Sequence, residues 1–105
     1  MEQKQFNQAL LEFLQDSPTP FHATEQISNR LGEQGFNRLN EEDSWDLKPG
    51  SYFVTRNQSS IIGFTIGKQP LDETGIRMIG AHTDSPCLKV KPSPDISDHT
   101  YGQLG

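Results

Sequence analysis

Residues Gly75 to Pro94 read G-I-R-M-I-G-A-H-T-D-S-P-C-L-K-V-K-P-S-P, and the fold turns on how that stretch is taken. Ile76 to Ala81 is a short, mostly apolar run of the kind that suits a strand covered on both faces, so a buried strand is expected there. The run ends in His82, with Asp84 two residues on and Pro86 two beyond that. In open α/β sheets ligands collect beyond the carboxyl ends of strands, which is where His82 and Asp84 would fall. A neutral imidazole is a good zinc ligand, and its second ring N–H needs an acceptor to fix tautomer and orientation. Asp84 is close enough in sequence to be that acceptor, and Pro86, with its fixed φ, would stiffen the segment. A bare His-x-Asp also occurs in ordinary loops after strands, so the spacing alone does not decide between a site and a loop.

The totals narrow the function classes. The chain has 105 residues, one domain's worth at most, with 9 Lys and Arg against 14 Asp and Glu for a net charge of −5. That balance argues against nucleic acid or an anionic membrane as partner, since both need clustered cations. Arg77, Lys89 and Lys91 form the largest basic concentration, and it is small. The hydrophobic fraction is 31%, or about 40% with the 9 glycines included, below the ~45–50% of ordinary domains. A fragment whose apolar surface awaits the rest of a protein would look like this. The single cysteine, Cys87, excludes an internal disulfide and suits a reducing compartment; it is expected to be a half-buried, inert thiol. The N-terminal M-E-Q-K-Q-F-N-Q lacks the apolar core of a secretory signal, and no apolar stretch approaches 18 residues. A soluble, cytoplasmic protein is the expectation.

Upstream, Phe6, Ala9, Leu10, Phe13 and Leu14 recur at helical spacing and predict a helix over about residues 4 to 15. Asp16 to Pro20 ends it. Thr19 as N-cap and Pro20 at the first helical position open a second helix, with Ala23, Ile27 and Leu31 inward and Gly35 placed to close it. His22, in its first turn, carries no chemistry that the spacing supports. Phe36 to Leu39 predicts a short strand. The acidic run through Glu41, Glu42 and Asp43 reads as a solvated turn, because adjacent carboxylates without a histidine repel more than they coordinate, and Trp45 and Leu47 are expected in the core. After the Pro49-Gly50 turn, Ser51 to Arg56 and Ser60 to Ile66 form an antiparallel hairpin, with Ile62, Phe64 and Ile66 on one face. Gly67 to Thr74 is a polar loop, Leu88 to Lys91 a further extended piece, and Asp95 to Gly105 a tail with little to fold around. The fold class is α/β: two N-terminal helices packed on a mixed β-sheet. Gly63-x-x-x-Gly67 matches no nucleotide fingerprint.

Three stretches, taken together, carry more than the His-x-Asp. A-H-T-D-S-P-C-L-K-V-K-P at 81 to 92, S-P-T-P-F-H at 17 to 22, and the run from Trp45 through P-G-S-Y-F-V-T-R-N to Ser59 resemble, in order, the M18 family of metallo-aminopeptidases. The resemblance covers the chain from about Phe13 onward. It implies an enzyme that removes N-terminal residues from peptides, with Asp and Glu favoured in the best-known branch, through a two-metal centre, zinc or similar, that activates a water. It also implies a three-layer catalytic domain and a homo-oligomer. His82 matches the family's first metal-ligand histidine, and Asp84 the catalytic-site carboxylate that supports it. Residues 1 to 92 would be the N-terminal part of the catalytic domain and 93 to 105 the start of a downstream region. The remaining ligands, a bridging carboxylate, a Glu-Glu pair, an Asp and a late His, have no counterpart here; Asp95, Asp98 and His99 give no reason to be promoted. One His and one supporting Asp cannot hold a catalytic zinc, which takes three protein ligands, so these 105 residues alone are expected to be inactive. Two other readings stand beside this one: a naturally short, non-catalytic paralogue that acts as a binding or assembly module, and an unrelated small α/β domain.

Overall fold

The computed structural model describes residues 2–98 and 101–104. Helices α1, Gln3–Gln15, and α2, Pro20–Glu33, lead into strands β1, Asn37–Arg38, β2, Gly50–Arg56, and β3, Ser60–Ile66. A single helical turn α3, Leu71–Thr74, and a hairpin of β4, Asp95–Asp98, and β5, Tyr101–Leu104, complete the elements. β1 pairs parallel with β2, and β2 antiparallel with β3, giving a three-stranded mixed sheet in sequence order. The α/β class with two leading helices and a mixed sheet is thus the one read from the sequence.

Local chemistry explains the boundaries of α2. Thr19 Oγ1 accepts the His22 amide at 3.3 Å and Pro20 occupies the first turn, where a missing N–H costs nothing. At the other end Gly35 takes φ +84°. The Gly35 amide then donates to Gly32 O at 3.0 Å and the Phe36 amide to Leu31 O at 3.0 Å, the paired closure of a Schellman turn. The β2–β3 connection is equally specific. Asn57 and Gln58 both lie in the left-handed region, φ 52° and 55°, and the Ser59 amide donates to Arg56 O at 3.1 Å. Two consecutive left-handed residues make a type I′ turn, whose twist matches that of the strands it joins.

The core is small. Ala23 and Thr24 of α2 are buried against the sheet face that carries Phe53, itself 4% exposed, and Val54 is buried on the opposite face. Gly63 faces α2 so closely that a Cβ there would lie 3.2 Å from Leu31 Cδ1. Arg38 spans the same face, its guanidinium 5.9 Å from the Phe53 ring centre and donating to Thr55 Oγ1 at 3.2 Å. α1 lies along α2 through Arg30, which stacks on Phe13 at 5.3 Å and donates to Ala9 O at 3.3 Å, while Phe6, Leu10 and Leu14 stay exposed.

Several expectations are corrected. Ile76 to Ala81 forms no strand: Ile76, Met78 and Ile79 stand in solvent. A strand apolar on both faces needs neighbours beside and above it, and nothing among the described residues supplies them. Leu88 to Lys91 likewise joins no sheet. Trp45 is 43% exposed, its indole N–H donating to Asn40 O at 2.8 Å, so a local hydrogen bond and not core packing holds it. The polar loop after β3 contains α3, stopped by Gly75 at φ 68°. The tail, expected to be poorly ordered unless something packs on it, pairs with itself among its described residues from Asp95 opposite Leu104 to Asp98 opposite Tyr101, and a hairpin satisfies its own backbone without needing a core. No described helix is long and apolar enough to cross a membrane.

Candidate functional site

The His82–Asp84 pair forms. The imidazole Nδ1 lies 2.6 Å from the Asp84 backbone carbonyl and 3.2 Å from the Asp84 carboxylate, with both side chains 78% exposed. Both neighbours of Nδ1 are acceptors, so the neutral ring carries its proton there and leaves the Nε2 lone pair free. That is the tautomer a metal ligand needs, produced by two residues that are almost adjacent in the chain.

Between them Thr83 turns the other way. Its hydroxyl donates to Ser59 O at 2.9 Å, across 24 residues, and attaches the segment to the β2–β3 turn. No local signal marks this contact. It depends on where the hairpin comes to rest, so periodicity and spacing pass over it.

The other candidates separate from this pair. Among the described residues no three His, Cys, Asp or Glu side chains converge as a metal cluster, so His82 is at most one donor of a larger set. Cys87 is exposed, which corrects the half-buried thiol expected of it. Asp95 is exposed; His99 and the side chain of Asp98 lie outside the described residues. Glu41 leaves the acidic turn to pair with Arg56 at 2.7 Å, and that hydrogen bond and charge raise the guanidinium above its ordinary pKa. His22 Nδ1 meets Thr19 Oγ1 at 2.7 Å, part of a helix cap. A cleft of about 360 Å³ between α2 and the sheet, with Phe21, Thr24, Glu25, Arg38, Thr55 and Gln58 in its lining, has neither His82 nor Asp84 among its lining residues. Donor chemistry, and not concavity, singles out the site.

A probable M18 family aminopeptidase 2 of Ectopseudomonas mendocina (strain ymp) is 56% identical over 99 residues, which cover 93% of this chain and 23% of that protein. Among solved structures, one in the cryo-EM structure of the Ape4 and Nbr1 complex is similar with a TM-score of 0.76 at 45% identity, over 90% of this chain and 19% of the other. The S. cerevisiae mApe1 dodecamer gives a TM-score of 0.76 at 26% identity, over 92% and 23%. The chain therefore spans less than a quarter of the length of these relatives. The model of the aminopeptidase I zinc metalloproteases matches residues 13–105, nearly the whole chain, and the chain belongs to that family, M18.

Proposed function

We propose that the whole protein is a metal-dependent aminopeptidase that removes N-terminal residues, Asp and Glu foremost, from peptides with free N-termini. His82 is a metal ligand through Nε2; the Asp84 backbone carbonyl and carboxylate together fix the ring's tautomer, and the carboxylate strengthens it as a donor. One observation carries this reading: in a family of zinc metalloproteases, the Nδ1 of His82 is committed to Asp84 and Nε2 is left open. Two zinc or similar divalent ions, when bound, would activate a water and polarise the scissile carbonyl. The residues here fit as part of a ligand set and no more, since a catalytic zinc takes three protein ligands and the described residues bring one histidine to the place.

On this reading residues 1–92 are the N-terminal part of the catalytic domain, 93–105 open the region that follows, and the 105 residues by themselves are inactive. The dodecamer formed by one similar protein supports a homo-oligomer, and a lone cysteine fits a cytoplasmic site. The acidic preference rests on the resemblance to the family's best-known branch.

The test is made on the full-length protein. His82→Ala should lose its zinc, measured by elemental analysis, and with it the release of Asp and Glu from chromogenic amides. Asp84→Asn should keep the fold but weaken zinc binding by about 10–100-fold. If His82→Ala retained its metal and activity, the assignment of His82 would be wrong; a wild-type protein that bound no metal would favour a non-catalytic module instead.

A further inference from the structure

We infer that Thr83 is a positioning residue, whose hydroxyl holds the His82–Asp84 pair on the β2–β3 turn so that His82 Nε2 presents in one direction. The inference rests on the reading of His82 as a metal ligand and adds what aims it.

Burial is the first ground. From Gly67 to Ser93 every residue is exposed except Thr83, which is half-buried. Its hydroxyl makes the one hydrogen bond that ties this stretch to the sheet, 2.9 Å to Ser59 O. The flanking His82 and Asp84 project to the solvent side and meet each other there. A β-branched side chain is stiff at χ1, so a hydrogen bond at its hydroxyl fixes the backbone that carries it.

The acceptor is the second ground. Ser59 ends a turn whose two central residues are left-handed and whose amide is bonded back to Arg56, with a seven-pair ladder behind it. Such a turn has few alternative conformations, so its carbonyl is a fixed point. The His82–Asp84 contact is local and would survive loss of the anchor; the direction of the pair relative to the sheet would not. Donors coming from other elements must meet a metal within about 0.5 Å of the productive geometry, and a freely moving imidazole would enter such a set at a cost in affinity.

Thr83→Val removes the hydroxyl and keeps the shape; Thr83→Ser keeps the hydroxyl. Both are made in the full-length protein beside His82→Ala, with zinc affinity measured by competition against a chromogenic chelator and melting followed on the metal-free form. Thr83→Val should bind zinc about tenfold more weakly with metal-free melting little changed, and Thr83→Ser should restore the affinity. If Thr83→Val does not fold, Thr83→Ala is read in the same assays. Wild-type zinc affinity in Thr83→Val, or a Thr83→Ser protein as weak as Thr83→Val, overturns the inference while loss of zinc in His82→Ala leaves the proposed function standing. Zinc retained by His82→Ala overturns both.

Discussion

A Cβ built on Gly63 would sit 3.2 Å from Leu31 Cδ1, tighter than ordinary contact, and the obstacle is the end of a flexible side chain. Leu31 is half-buried beside open space lined by Phe36, Phe64 and Leu71, so it can give way to one methyl. Gly63→Ala should therefore be close to neutral in a thermal melt, with relief of glycine's backbone entropy offsetting the crowding. Gly63→Val brings two further carbons against α2 and should destabilise by about 1–3 kcal/mol. A Gly63→Val protein melting like wild type would mean that α2 does not rest on this strand as described. The sequence showed this position only as one glycine among nine, because close approach is a property of the packed pair. The same division runs through the site. His82 and Asp84 were legible as partners since two residues of chain bring them together whatever the fold does, whereas Thr83 and Ser59 meet only after the hairpin has formed and the chain has returned to it.

At the scale of elements, the β2–β3 turn carries a measurable strain. Gln58 sits at φ 55°, where an L side chain costs about 1–2 kcal/mol, and unlike Asn57 it has no short amide suited to that region. Gly at this position escapes that cost and gives back about 0.5–1 kcal/mol in backbone entropy. Gln58→Gly should therefore raise the melting temperature by a few degrees, and Gln58→Val should lower it, since a β-branched residue tolerates positive φ worst. A Gln58→Gly protein that melted below wild type would remove the case for strain. Both helices and the hairpin were legible because their determinants are local: the apolar stripe of α1, the Thr19-Pro20 start and Gly35 stop of α2, the alternation through β2 and β3. Ile76 to Ala81 had an equally clear apolar pattern and forms no strand, because an apolar run states only that a strand would be stable if covered. The tail erred in the opposite direction. Its polar residues offered no core to pack on, yet antiparallel pairing of Asp95–Asp98 with Tyr101–Leu104 asks only for a partner a few residues away.

Across the whole molecule the described chain is extended and its core thin. The Cα radius of gyration is 20.0 Å, against about 13 Å for a compact domain of this length. Among the described residues the buried apolar side chains are Ala23, Phe53 and Val54, while Ile76, Met78, Ile79, Leu88 and Val90 lie exposed on either side of His82 and Asp84. Each of those side chains would gain about 1.5–3 kcal/mol on being covered. Large apolar patches on a soluble surface are normally sites of contact, and in a polypeptide of only these 105 residues the nearest available cover is another copy. Such a polypeptide should therefore sediment as a mixture whose mean mass rises with concentration. Ile79→Lys with Leu88→Lys should shift it toward monomer without altering its circular dichroism, because neither side chain contributes to the small core. A clean monomer at high concentration would show that the exposed residues find cover within one chain. Association that persisted in the double variant would move the contact elsewhere, with the exposed stripe of Phe6, Leu10 and Leu14 on α1 the next surface to substitute.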